Sequence, residues 1–224
     1  MKHTIYRKEE IMMKEYHKIE TVFNRDVNGT KKLIEGSFRN ETVEMLKDIN
    51  FLWTEKCDGM NLRIHWDGHK IEFGGRTEKA QIPSDLVNFL TEKFCNEETE
   101  ELFEQKFGES DVILFGEGYG RKIQKVGALY IPDGVSFILF DVCIGDVWLK
   151  RDSVEDIAKA FNIDVVPIVG KGTIMEAVEF VKSHPKSVIS DKAPMEGVVV
   201  RPECELYDRM HRRIIVKIKV NDFK

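Results

Sequence analysis

An apolar strand that ends in one lysine places the strongest constraint on how this chain can fold. Lys56 comes shortly after the apolar run 51–53, and Asp58-Gly59 follows at once, as at a strand-ending turn. A lysine in this place can be a covalent nucleophile, but only while it is uncharged, and burial or nearby cations lower the pKa of a lysine. The alternative is a charged residue ahead of a turn, and Lys-x-Asp-Gly alone does not separate the two.

The end of the chain supplies two further cations. In the segment 214–220 the apolar residues alternate with lysines, so Lys217 and Lys219 share the face opposite the apolar one. At a rise of roughly 3.3 Å per residue their Cβ atoms lie about 7 Å apart, which suits two positions on one polyphosphate. A half-exposed strand with solvated lysines is the alternative.

Carboxylates also adjoin strongly apolar strands. Glu196 precedes the run 197–200, whose continuous apolar character is typical of a buried strand. Glu117 follows Phe115-Gly116, and Asp141 follows the apolar run 137–140. The chain thus combines one isolated lysine, a lysine pair and several carboxylates, each at a strand.

Taken in order, these motifs resemble those of the covalent nucleotidyltransferases, which include the ATP-dependent DNA ligases, the RNA ligases and the mRNA capping guanylyltransferases. The motifs are Lys56-x-Asp58-Gly59, Arg76, Phe115-Gly116-Glu117, 137–141, 196–199 and Lys217-x-Lys219. Within that superfamily the chain is most similar to the RNA ligases typified by the second RNA ligase of T-even phages and the trypanosome RNA-editing ligases. The branch is indicated by Glu55, Asn61, Arg76 and the stretch 123–126.

The resemblance implies an α+β nucleotidyltransferase (ATP-grasp-like ligase) fold, with antiparallel sheets flanked by helices and a nucleotide pocket between them. It also implies an ATP-dependent RNA ligase. Lys56, kept neutral by the pocket and by Lys217 and Lys219, would attack the α-phosphorus of ATP and form lysyl-AMP. AMP would then pass to a 5′-phosphate RNA end, and a 3′-hydroxyl would displace it. Phosphoryl transfer needs in-line geometry and charge neutralisation more than acid–base catalysis.

The same resemblance assigns roles to the other residues. Lys217 and Lys219 would hold the α-phosphate, and Glu196 would hold a hydrated Mg²⁺ or Mn²⁺. The residues implied in ATP binding are Glu55, Asn61, Arg76, Glu117 at the ribose hydroxyls and Phe137 against adenine.

Two alternatives remain open at this stage. One is a minimal ATP-dependent DNA ligase or a capping-type enzyme, with DNA ends as the partner in the first case; Asp58 is shared with DNA ligases. The other is a non-catalytic module that only binds nucleotide. The chain stops five residues after Lys219, so we expect a single adenylyltransferase domain, 1–224, with no carboxy-terminal OB-fold or accessory domain.

The net charge of −5 argues against a protein that coats nucleic acid indiscriminately, but a local basic groove is compatible with it. Three basic clusters could form one: Lys31, Lys32 and Arg39; Arg121, Lys122 and Lys125; and Arg209, Arg212 and Arg213. We expect RNA contact at the central cluster, with a solvated face as the alternative for each.

The cysteines are scattered, which favours reduced thiols in a cytoplasmic protein over a zinc site or disulfides. Neither a transmembrane-length apolar run nor a signal-peptide core is found, so we expect no membrane association.

The pattern predicts strands at 51–56, 61–66, 70–74, 112–118, 135–144 and 165–169, and strands that carry Glu196 and the lysine pair. Asp67-Gly68 forms the predicted hairpin turn. A helix is predicted after Ser84, with Leu86, Phe89, Leu90 and Phe94 on one face. Two capping-box patterns, Ser153–Asp156 and Thr173–Glu176, predict two more helices.

Overall fold

Residues 13–223, which the computed structural model describes, form two large sheets and a small one, with helices laid against them. The strands are β1 Glu20–Thr21, β2 Phe23–Arg25, β3 Leu33–Phe38, β4 Phe51–Glu55, β5 Met60–Trp66, β6 Ile71–Gly75, β7 Val112–Gly120, β8 Val135–Ile144, β9 Val147–Trp148, β10 Asp164–Val165, β11 Ile168–Gly172, β12 Gly197–Pro202 and β13 Val216–Lys219. The helices are α1 Glu41–Met45, α2 Ser84–Phe94, α3 Glu97–Phe107, α4 Gly127–Tyr130, α5 Arg151–Ala160 and α6 Ile174–Lys182. The expected α+β class is confirmed.

The first sheet has the strand order β1-β13-β12-β4-β11, and only β1 pairs in parallel. Its apolar face packs against α6 in a core that includes Trp53, Val178 and Val198. Strand β12 lies between β4 and β13, although the three strands are far apart in sequence. The sheet therefore brings Lys56, Glu196 and Lys219 to the same end of three adjacent strands.

The second sheet has the order β10-β8-β7-β5-β6, with β9 added beside β8. One face packs against α2, α3 and α5 in a second core that contains Leu90, Phe103, Leu114 and Ile157. The other face turns toward the first sheet. Two sheets with helices on their outer faces leave a space between them, and the polar strand residues line that space.

A β-bulge on β8 decides which of its side chains face the space between the sheets. Phe115 of β7 pairs with Asp141, but the next residue, Gly116, pairs with Leu139, so Phe140 has no partner. A bulge breaks the alternation of faces. Phe137 and Leu139 therefore face the second core, whereas Phe140 and Asp141 both point to the opposite side.

Most of the predicted elements are present within a residue or two. The turn at Asp67-Gly68 joins β5 to β6 as a hairpin, and Gly68 has a positive φ of 94°. The capping box of Thr173 and Glu176 opens α6 as predicted. The Ser153 box is wrong as a helix start, because α5 begins at Arg151. The elements of 20–45 and helix α3 were not predicted.

Among the described residues no helix is both long and apolar enough to cross a membrane.

Candidate active site

A cavity of about 440 Å³ lies between the two sheets. Lys56 and Lys217 reach it from the first sheet, Asn61 and Glu117 reach it from the second, and Arg76 stands at its rim. Glu55 also lines it. The cavity therefore gathers most of the residues that the sequence assigned to ATP binding and catalysis.

The carboxylate of Glu196 contacts two of the three lysines that the sequence assigned to catalysis, Lys56 and Lys219. Its Oε2 accepts a hydrogen bond from Lys56 Nζ at 2.6 Å, and its Oε1 forms an ion pair with Lys219 Nζ at 2.7 Å. The backbone fixes this arrangement, because Lys56 N–H donates to Gly197 O at 2.9 Å and Gly197 pairs with Lys219. One carboxylate thus bridges two ammonium groups at the edge of the cavity.

The charge on Lys56 differs from the expectation. Burial lowers the pKa of Lys56, but the carboxylates of Glu196 and Glu117 raise it by more, and the net shift is upward from 10.5. The expectation that Lys56 is held neutral is therefore wrong for the ligand-free protein, in which it is a paired ammonium. The lysine whose pKa is lowered is Lys217, through burial and then through Lys219, Lys56 and Arg76.

The residues present suit a divalent cation of the Mg²⁺ type. No cluster of three or more metal-binding side chains exists among residues 13–223. Mg²⁺ commonly takes one or two protein carboxylates and completes its shell with water and substrate phosphates. Glu196, a half-buried carboxylate beside the cavity, fits that pattern. Asp58 lies nearby, and its pKa is raised by burial and then by repulsion from Glu196.

Glu117 is the most strongly perturbed carboxyl of the site. It pairs in register with Asn61, and burial raises the pKa of Glu117 from 4.5 to about 7, with Lys56 opposing and Glu196 adding to the shift. Asn61 Oδ1 is buried without a hydrogen-bond partner in the described part of the chain. Polar atoms left unpaired inside a cavity are suited to a ligand that pairs with them.

The shift of Glu117 gives a pH-dependent prediction. Because the pKa of Glu117 is higher in the folded protein than in the unfolded chain, the folded state loses relative stability as the pH rises from 4.5 through 7. Glu117→Gln removes that loss. We expect the variant to have a higher free energy of unfolding than the parent at pH 8, with the gain shrinking toward pH 5, in urea titrations without nucleotide.

Glu104→Gln serves as the control, since Glu104 is exposed on α3. It should leave the free energy of unfolding unchanged at both values of pH. If the difference in free energy of unfolding between Glu117→Gln and the parent were the same at pH 5 and pH 8, the raised pKa of Glu117 would be contradicted.

Glu55 has a further role at the cavity wall. Its carboxylate is 1% exposed and accepts hydrogen bonds from the Ser187 hydroxyl and from the backbone N–H groups of Val188 (2.7 Å) and Ile189 (3.3 Å). Both oxygens are therefore engaged in holding the segment 187–189 against β4. A direct contact of this carboxylate with nucleotide stays a prediction.

The expectation that Phe137 lies against adenine is wrong. Phe137 is 1% exposed and packs in the second core, where a side chain on Gly116 would collide with its ring. Phe140 lines the cavity instead. The bulge at Phe140 causes this exchange of faces, and the residue types in 137–141 do not predict a bulge.

The sequence did not identify every residue of the cavity wall. Tyr16 and His17, from the segment before β1, and Arg201 of β12 line the cavity. Tyr16 donates a hydrogen bond to Asp141 at 2.9 Å, and Arg201 donates to the same oxygen at 3.3 Å. Asp141, fully buried, thereby ties the amino-terminal segment and the first sheet to β8. Segment 13–19 carries no strand or helix pattern that would have placed it here.

The predicted RNA-contact residues lie on the exposed loop between β7 and α4. Arg121 pairs with Asp133 at 2.9 Å, and Lys122 and Lys125 are exposed. Their neighbours Ile123 and Gln124 line the cavity, and Gln124 Nε2 donates to Gly59 O at 3.1 Å. The loop thus borders the cavity, and its contact with RNA stays a prediction.

Comparison with known proteins shows which family and which solved structures this chain resembles. The family model described as RNA ligase matches residues 49–219. No curated protein matches the chain in sequence.

Solved structures of a Naegleria gruberi RNA ligase share the fold. The form with PPi has a TM-score of 0.61 and 19% identity, over 94% of this chain and 63% of that one. A mutant with ATP and Mn has a TM-score of 0.62 and 19% sequence identity, over 92% of this chain and 62% of that one. An apo mutant has a TM-score of 0.60 and 20% sequence identity, over 82% of this chain and 52% of that one. The chain thus spans between about half and just under two thirds of the length of these structures.

Proposed function

The chain belongs to the RNA ligase family, and from that premise we propose that it is an ATP-dependent RNA ligase. It would join 5′-phosphate and 3′-hydroxyl RNA ends through lysyl-AMP and AMP–RNA intermediates. The observation that carries the proposal is the contact of Lys56 and Lys219 with the two oxygens of Glu196, beside a cavity lined by Lys217 and Glu117.

In the first step Lys56 Nζ releases its proton to solvent and, as a neutral amine, attacks the α-phosphorus of ATP. A nitrogen–phosphorus bond forms, the bond to the bridging oxygen breaks, and pyrophosphate leaves. Lys217 and Lys219 hold the phosphates. Burial lowers the pKa of Lys217, and the nearby charges of Lys219 and Lys56 lower it further. A divalent cation held by Glu196 would neutralise phosphate charge that develops during the transfer.

The nucleoside would occupy the rest of the cavity. Glu117 and Asn61 lie on adjacent strands of the second sheet, where they can hydrogen-bond to ribose hydroxyls. Phe140 offers the aromatic face for adenine that Phe137 cannot. ATP and a divalent metal are also supported by the Naegleria gruberi RNA ligase complexes, which contain ATP with Mn and AMP with Mn.

In the later steps the 5′-phosphate of RNA attacks lysyl-AMP, Lys56 leaves, and a 3′-hydroxyl then displaces AMP to form the phosphodiester. Arg121, Lys122 and Lys125, which are exposed on the loop that borders the cavity, would contact the RNA. A role in RNA repair and a cytoplasmic location accord with this chemistry. The cysteines support the location, because Cys57, Cys95, Cys143 and Cys204 are all free thiols.

Labelled ATP tests the proposal. Incubation with α-labelled ATP and Mg²⁺ should leave label on the protein that is stable to base and labile to acid, whereas γ-labelled ATP should leave none. Addition of 5′-phosphorylated RNA should transfer the label to RNA. Sealing should be faster for a 3′-OH strand that ends in ribonucleotides, because the 2′-hydroxyl and A-form shape distinguish RNA from DNA.

Each other outcome points to a named alternative. Equal or faster sealing of all-DNA nicks would make the chain a DNA ligase. Label from GTP instead of ATP would indicate a capping-type enzyme. Binding of ATP without covalent label would indicate a nucleotide-binding module.

A further inference from the structure

A second groove runs away from the nucleotide cavity along the first sheet. A cavity of about 400 Å³ shares His17 and Ile215 with the nucleotide cavity, and a further cavity of about 720 Å³ shares Glu20, Asn40 and Arg212 with the second. We call this pair of cavities the lateral groove. Its walls are the segment 14–20, the residues 39–43 and the loop 207–213, with Trp148 and the start of β13 between them.

The loop 207–213 has a defined shape. Asp208 Oδ1 accepts hydrogen bonds from the N–H groups of Met210 (2.8 Å) and Arg212 (2.9 Å), and Tyr207 bridges Arg213 across the base of the loop. These contacts hold Arg209 at the exposed tip. The loop therefore presents its side chains from a fixed backbone, as a binding surface requires.

The groove has cations without a local partner. Glu20 and Asp208 lie in it but are paired with Arg39 (2.9 Å) and Arg212 (2.7 Å), while Glu15 and Glu41 add carboxylates at its edges. Lys18 and Arg209 are exposed and have no ion-pair partner within residues 13–223. Both are thus available to an external anion.

Aromatic side chains stand among these cations. Tyr207 is 46% exposed, although a large aromatic ring is normally covered. Trp148 is half-buried, with the guanidinium of Arg213 over its ring at 4.1 Å. At the junction with the nucleotide cavity, His17 Nε2 is buried with no hydrogen-bond partner in the described part of the chain. Basic grooves interleaved with exposed aromatic rings are typical of sites for single-stranded nucleic acid, whose bases stack on the rings.

We propose that the lateral groove binds the single-stranded RNA that leads into the active site, with Lys18 and Arg209 on its phosphates and Tyr207 against a base. This inference rests on the proposed function. It adds a second RNA-contact surface, formed by residues other than those of the loop that carries Arg121. The continuity of the three cavities supplies the path from the groove to Lys56.

Salt-dependent RNA binding tests this assignment. The full chain would be titrated with a fluorescent 5′-phosphorylated oligoribonucleotide over a range of KCl, and lysyl-AMP formation would be measured on the same preparations. The double variant Lys18→Ala/Arg209→Ala should bind RNA about 10-fold more weakly, and the slope of log affinity against log salt should fall by about 1.4, since each phosphate contact to a single strand contributes about 0.7. Lysyl-AMP formation should be unchanged, because step one uses no RNA.

Matched variants separate the contact from general charge and folding effects. Lys106→Ala/Lys159→Ala removes two exposed lysines from α3 and α5, on the far face of the second sheet, and should keep the parent's affinity and slope. Tyr207→Ala should weaken binding about 10-fold with the slope unchanged, because stacking carries no charge, and Tyr207→Phe should restore it.

Parent-like affinity and slope in Lys18→Ala/Arg209→Ala would overturn the groove assignment, as would an equal loss in Lys106→Ala/Lys159→Ala. Failure of the proposed function has a different signature. In that case the parent itself would form no lysyl-AMP, whatever the groove variants do to RNA binding.

Discussion

Lys56→Ala is expected to abolish covalent labelling by α-labelled ATP. Lys56 is the amine proposed to form the nitrogen–phosphorus bond, so its removal should lower the rate of covalent nucleotide transfer by about 10³-fold or more. Sealing from ATP should fail to the same extent. The measurement is label retained on denaturing gels as a function of time.

Loss of the ammonium also leaves Glu196 with one fewer partner, so a second variant is needed. Lys56→Arg keeps a cation beside Glu196, but a guanidinium stays protonated and cannot attack. It should be as inactive as Lys56→Ala while retaining the parent's stability. Lys171→Ala is the matched control, since Lys171 lies exposed on β11 of the same sheet, and it should label normally. Label that persists in Lys56→Ala would identify another nucleophile.

Glu196→Gln is expected to have the second largest effect. The change removes the carboxylate that would hold the divalent cation, and such charge stabilisation is worth several kcal/mol, so labelling should slow by about 100-fold. It also removes the group whose attraction opposes the effect of burial on the pKa of Lys56. That pKa should therefore fall, and the rise of the labelling rate with pH should shift to lower pH.

The two effects of Glu196→Gln act in opposite directions at neutral pH, and a pH–rate profile separates them. Glu203→Gln is the matched control, because Glu203 follows β12 as Glu196 precedes it and pairs with Lys171 at the surface. It should match the parent. Faster labelling in Glu196→Gln at every pH would show that Glu196 only restrains Lys56. An unshifted profile would show that the pair seen in the ligand-free protein does not control the lysine.

Much of the site could be predicted from the sequence because its residues are tied to short local patterns. Lys56 precedes a turn, Glu196 precedes an apolar run, and Lys217 and Lys219 alternate with apolar residues on one strand. Each pattern fixes a side chain relative to its own strand. The resemblance to the nucleotidyltransferases supplied the roles, and the family match over 49–219 agrees with it.

The errors concern relations between strands. The sequence alone does not show whether Phe137 or Phe140 faces the cavity. The bulge, which results from the pairing of β7 with β8, places Phe137 in the second core. The charge on Lys56 also depends on a partner far away in the chain. Cations at 217 and 219 were expected to lower its pKa, whereas the structure places Glu196 nearest, at 2.6 Å, and the pKa is raised.

The sequence by itself determined the α+β class, the strands that carry the reactive residues, and the family. Periodicity and turn residues act over a few positions and can be read without knowing the neighbours. Only the tertiary structure decided which aromatic ring lines the cavity, which carboxylate partners the lysine, and that Tyr16 and His17 form a wall of the site. Those outcomes depend on strand register and on contacts between segments more than a hundred residues apart, for which the local pattern carries no signal.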